Sequence, residues 1–180
     1  AVDKVGAQVL GYAPEDVPHL KLYAENHKKP LDLSDVEVKG EKIEDVTDFH
    51  QYEFGYTEDG ALPAPMAKMG IQGLSYYKYD LSMCTYCSGI TGAVLTAIAM
   101  AWKGQPWEDV EVLTGKQMDP RPGKKKTILL GQCMCKRHKD NPDIQAAIPV
   151  DGCPPNPKSI VAAFHKAGID VDPNIVENYE

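Results

Sequence analysis

The sequence predicts an α/β fold: a small sheet flanked by helices, with its ligand-binding loops gathered at one sheet edge. Three observations carry this. Short aliphatic or β-branched runs recur at Val110–Leu113, Thr127–Leu130 and Ala146–Val150, each bounded by turn-forming residues. Two segments with clear helical signals lie before and after them. Strands alternating with helices build layered α/β structures. A chain of 180 residues suits one compact domain, so the expectation is a single domain over 1–180.

Val5, Val9 and Leu10 predict a short amphipathic helix stopping at Gly11. A second helix follows, with Asp16 as its N-cap, Pro18 in its first turn, and Leu20, Tyr23, Ala24 and His27 at helical spacing. Val36 and Val38 alternate with charged residues before Gly40, which predicts a half-buried strand. From Ile43 to Met83 the pattern weakens, because Pro63, Pro65 and several glycines interrupt it. This stretch is expected to be irregular or partly helical cover, with Tyr52, Tyr56, Tyr76, Tyr77 and Tyr79 supplying bulk. Ser88 to Lys103 predicts a helix, stopped by Gly104 and Pro106. It is apolar nearly all round and should be buried. After the three strand runs, Asn156 caps a last helix with Pro157 at its first position. Its inner stripe is Ile160, Val161, Ala163, Phe164 and Ala167, and Gly168 ends it.

Composition excludes some classes of function. The net charge of −7 argues against non-specific nucleic-acid binding, which needs clustered Lys and Arg. The longest apolar run, Gly92 to Trp102, is about half of the ~20 residues that a membrane span requires. No basic stretch followed by an apolar one marks a signal peptide at the start, so the expected location is the cytoplasm.

The five cysteines carry more information. The number is odd, so a full set of disulfides would leave one thiol over. Their spacing is uneven: Cys84-Thr85-Tyr86-Cys87, then Gly131-Gln132-Cys133-Met134-Cys135, then Gly152-Cys153-Pro154-Pro155. Such clusters without an export signal favour metal over disulfides. All are expected in loops that leave a strand or enter a helix, and in open α/β sheets such loops converge at the carboxyl edge. Thiolates are soft ligands suited to iron–sulfur clusters and zinc. Helix N-termini beside Cys87 and Cys153 would stabilise thiolates and an anionic cluster, and glycines at 131 and 152 would let the backbone approach closely.

The segment Ile148-Pro-Val-Asp-Gly-Cys-Pro-Pro-Asn-Pro-Lys-Ser-Ile160 resembles the stretch that holds the last cluster cysteine in the small subunit of nickel–iron hydrogenases. The corresponding subunit of respiratory complex I carries a similar segment, and both families place a cysteine in a Gly-x-Cys stretch like Gly131-Gln132-Cys133. Over more of the chain the sequence is similar to an uncharacterised family of iron–sulfur proteins from anaerobes, domain of unknown function 362. The residues carrying that likeness are Val5 to Leu20 and Val36-Glu-Val-Lys-Gly40. Members are usually longer at the N-terminus. The resemblance implies one [4Fe–4S] cluster with Cys84, Cys87, Cys133 and Cys153 as ligands, an electron-transfer role, and a redox protein or a second copy as partner. It implies no known reaction. Cys135 has no counterpart, which leaves open a swap with Cys133.

Two other readings predict different outcomes. An enzyme with an open iron site would depend on only three of the cysteines. A zinc-stapled interaction module would hold the same four thiolates, be colourless and need metal to fold. Cys135 is read as a thiol near the site that binds no metal, and Lys136-Arg137-His138-Lys139 as a solvated loop. His165 is expected to pack or face solvent, His19 and His27 to be partial core, and no histidine is assigned to catalysis. No phosphate loop, nucleophile elbow or paired-carboxylate pattern is present, which leaves nucleotide and hydrolase chemistry without support.

Overall fold

The computed structural model describes residues 1–49, 55–79 and 82–178. The chain divides into two compact units, Ala1–Glu53 and Phe54–Glu180.

The first unit holds α1 (Val2–Val9), a single 3-10 turn at Pro14–Asp16, α2 (Pro18–His27) and the short α3 (Ile43–Val46). Its organising contact is polar. The buried Lys4 ammonium donates to the carbonyls of Pro30 and Asp32, both at 2.8 Å, and pairs with the Asp35 carboxylate at 2.6 Å. Three acceptors therefore compensate its removal from water. The ammonium also holds the Asp35 carboxyl below its ordinary range. Three expectations fail here. Asp16 ends the 3-10 turn, and the residue before Pro18 is Val17, which offers no side-chain cap. Residues 36–39 form no strand, because among the described residues no strand pairs with them and a lone strand leaves its backbone groups unpaired. His19 and His27 are exposed rather than partial core.

The second unit is the α/β body. Its four strands are β1 (Leu74–Tyr76), β2 (Val110–Leu113), β3 (Lys126–Leu130) and β4 (Ala147–Val150). They are all parallel and lie in the order β1-β2-β3-β4. The helices are α4 (Ala64–Lys68), α5 (Thr85–Ala101), α6 (Gln132–Arg137), α7 (Pro157–Ala167) and α8 (Pro173–Glu177). The expected α/β class holds. The strand β1 was not expected: three residues are too few to show an alternation, and they lie in the stretch where prolines and glycines blur the pattern. Tyr52 lies outside the described residues.

Register explains the layers. Tyr76, Val112, Ile128 and Ile148 stand side by side across the sheet, and with Leu74, Val110, Leu130 and Val150 they face the main core. The covering residues include Val94, Ala97 and Ile98 from α5, Ile160 and Phe164 from α7, and Val176 from α8. The side chains between them point to the other face, as the two-residue period of a strand demands. That face has a smaller apolar cluster of Tyr77, Leu113, Leu129 and Met134. Beside it lies the fully buried Glu111. Its carboxylate accepts hydrogen bonds from the Thr127 hydroxyl at 2.7 Å, the Tyr77 hydroxyl at 2.9 Å and the Arg121 backbone N–H at 3.1 Å. The Arg121 guanidinium stacks 4.2 Å from the Tyr77 ring centre. Burial and the neighbouring carboxylate together push the Tyr77 phenol upward, so it stays protonated and donates.

α7 follows its sequence signals closely. Asn156 accepts from the Lys158 N–H at 2.9 Å, and Gly168 closes the helix in the left-handed conformation. Asp172 caps α8 in the same way.

Candidate functional site

The carboxyl ends of all four strands lead into one cleft. Its lining comes from the segments just beyond them: Ser82, Cys84 and Cys87 after β1, Gly115 and Lys116 after β2, Gly131, Gln132 and Cys133 after β3, and Gly152 and Cys153 after β4. The cleft is narrow, with a cavity volume of about 10 Å³, on the order of one water molecule. Parallel strands all end on the same side of a sheet, so residues far apart in sequence meet there.

Backbone hydrogen bonds tie these segments to each other. The Gln132 N–H donates to the Gly152 carbonyl at 2.9 Å, and the Gly131 N–H to the Val150 carbonyl at 2.9 Å. On the other side, the Lys116 N–H donates to the Ser82 hydroxyl at 2.9 Å. The geometry requires glycine at two positions. Gly131 sits at φ +91°, and a Cβ there would lie 3.3 Å from the Cys87 sulfur. Gly152 sits at φ +133°, and its Cβ would lie 2.9 Å from the Pro154 carbonyl oxygen. A side chain at either position would fill or distort the space between the thiols. The Cys153–Pro154 peptide is cis.

The cysteines differ in setting. Cys84 is the N-cap residue of α5. Its thiol makes no capping hydrogen bond of ordinary geometry, yet the N–H groups of Cys87 and Tyr86 face it and hold its pKa below the usual thiol value. Cys87 lies in the first turn of that helix, half-buried, and burial raises its pKa, with the Cys84 charge adding to the rise. Cys133 and Cys153 are exposed. Cys135 is turned away: its thiol donates to the Leu129 carbonyl at 3.5 Å and packs against the smaller apolar cluster. Burial raises its pKa as well.

Four of the five cysteines therefore line the cleft, and they are the four singled out by sequence. Their expected placement in loops needs correction. Cys87 belongs to α5, and Cys133 and Cys135 belong to α6. The helical signal of α6 was hidden by its length of only six residues. The basic run needs the same correction: Lys136 and Arg137 end that helix, with His138 and Lys139 just beyond it. Arg137 pairs with Asp119 at 2.9 Å. His138 is buried. Its Nε2–H donates to the Met118 carbonyl at 2.8 Å and its Nδ1 accepts from Asn141 at 3.0 Å, a structural role. His165 is exposed and donates to the Val171 carbonyl at 2.8 Å.

Sequence reading missed Ser82, Gly115, Lys116 and Gln132 as lining residues. Their signal was position, since each comes soon after a strand end, and Thr114-Gly115-Lys116 directly succeeds β2.

The donor set and the cradle suit a cluster. Four thiols from three segments line the cleft beside two glycines, a soft donor set that suits an iron–sulfur cluster or zinc. Among the described residues, no three His, Cys, Asp or Glu side chains form a group able to hold a single metal ion. Lys116 and the N-terminus of the 17-residue α5 would offset the negative charge of a thiolate-bound cluster. The chain matches no family model, no curated protein and no solved structure. Among the described residues, no helix is long and apolar enough to cross a membrane.

Proposed function

We propose that this chain carries one [4Fe–4S] cluster on Cys84, Cys87, Cys133 and Cys153 and passes single electrons to or from a redox partner. The observation that supports this reading is the convergence of four thiols, from three separate chain segments, on one cleft at the carboxyl edge of the sheet. When bound, the cluster would supply the one-electron redox chemistry. The protein's own part is to supply the thiolates, offset their charge with Lys116 and shield the half-buried Cys87 side from water. Exposed Cys133 and Cys153 would leave one edge of the cluster within reach of a partner. In this reading the chain works in the cytoplasm, its partner is another redox protein or a second copy, and its kinship is with the iron–sulfur family of anaerobes that it resembles.

The test is iron, zinc and acid-labile sulfide per chain on anaerobically purified protein, with an absorption spectrum. About four irons and four sulfides, with a brown colour that bleaches on reduction, are expected. About one zinc without sulfide would overturn the proposal.

A further inference from the structure

Among the described residues, the buried hydroxyls of Tyr76 and Thr114 have no hydrogen-bond partner of ordinary geometry. Both residues lie at the carboxyl ends of their strands, Tyr76 as the last residue of β1 and Thr114 directly after β2. Buried donors left unpaired destabilise a fold, so each needs a reason.

Thr114 has the clearer one. It is 1% exposed, and the next two residues, Gly115 and Lys116, line the cleft. Its hydroxyl lies beside the Cys87 thiol. Neutral sulfur accepts hydrogen bonds weakly. A sulfur carrying thiolate charge accepts far better. The surroundings leave the hydroxyl few other choices. The Cys87 carbonyl is already taken by the Thr91 hydroxyl at 2.8 Å, and the Thr114 N–H is directed to the Met118 sulfur at 3.4 Å. Tyr76 is as deeply buried, and its phenol lies near Thr91 as well as Cys87.

We infer that Thr114 donates its hydroxyl proton to the Cys87 sulfur in the metal-loaded protein and thereby sets the reduction potential of the site. The inference rests on the cluster reading. Reduction adds negative charge to the cluster and its sulfurs, so a donor at one sulfur stabilises the reduced state more and raises the potential. Thr114 acts through Cys87 and does not itself bind metal.

The experiment compares native protein with Thr114→Val, which keeps the bulk, and Thr114→Ser, which keeps the hydroxyl. Iron and sulfide are measured on each, and the midpoint potential is taken by anaerobic dye titration. Thr114→Val should keep its iron and shift the ratio of reduced to oxidised cluster about fivefold toward oxidised at a fixed ambient potential. For a one-electron couple that equals about 40 mV downward. Thr114→Ser should stay at the native potential. An unchanged potential in Thr114→Val, or an equal drop in both variants, overturns the inference while leaving the cluster reading intact. Iron lost from Thr114→Val but kept by Thr114→Ser supports it, since the hydroxyl is what Ser retains. Iron lost from both overturns it. Native protein without iron and sulfide removes the cluster reading and this inference together.

Discussion

The sheet body and its carboxyl edge are built on opposite principles. The body is filled with fully buried aliphatic and aromatic side chains such as Ile98, Val112, Ile128, Ile160 and Phe164. Its buried carboxylate, Glu111, has its donors in place. A few residues further along each strand, the edge has glycines in left-handed backbone, exposed thiols, a lysine and a hydroxyl without a partner. The body gives its buried carboxylate three donors, while the strand ends leave the Tyr76 and Thr114 hydroxyls without a partner of ordinary geometry. That difference is what the proposed cluster site rests on.

Substitutions can separate the two regions. The largest loss of stability should come from Phe164→Ala, which empties a fully buried site between sheet and helix and should cost about 3–5 kcal/mol. Urea unfolding of the metal-free chain measures it, and a loss below about 1 kcal/mol would refute this packing. Next comes Glu111→Gln. The amide has one acceptor oxygen where the carboxylate has two, so it cannot serve the Thr127 and Tyr77 hydroxyls and the Arg121 N–H together; about 1–3 kcal/mol is expected. At the edge the pattern reverses. Serine at Cys84, Cys87, Cys133 or Cys153 should change the stability of the metal-free chain by less than about 1 kcal/mol, yet deplete its iron. Cys135→Ser should keep its iron, because that thiol packs into the body. Iron retained after any single replacement of the four would break the contrast.

The smallest effect concerns reactivity. Cys84 is held below the ordinary thiol value of 9.0 by backbone N–H groups, and Cys135 is held above it by burial. A lowered pKa means more thiolate at neutral pH, so iodoacetamide should modify Cys84 of the reduced, metal-free chain before Cys135. The thiolate advantage should shrink as pH rises through 9.0 and both thiols ionise. Equal rates at neutral pH would show that the helix start does not act on Cys84.

Much of the body was legible in the sequence because its signals are local. Asn156, Pro157 and Gly168 delimit α7 within a short stretch, and the strand runs at Val110 and Thr127 stand out by composition. What escaped was set by partners distant in sequence. β1 is a strand because β2 lies beside it, and residues 36–39 are not one because, among the described residues, no strand pairs with them. The Glu111 network needs Tyr77, Arg121 and Thr127, and nothing at Glu111 itself announces them. At the edge the thiols were legible from their glycine and proline flanks. Thr114 was not, since a lone threonine after a strand carries no mark of its own.

The order of the sheet has a consequence for how the molecule is made. Each strand pairs with the one that precedes it in the chain, from β1 through β4. A chain emerging from the ribosome can therefore lay down the sheet one strand at a time, without waiting for later residues to complete an earlier pairing. The cleft obeys a stricter timetable. Its last wall, Gly152 and Cys153, is synthesised only after β4. Whatever the cleft takes up must arrive after nearly all of the sheet is in place. On the cluster reading, loading would be a late step on a nearly finished fold and not the template around which that fold begins.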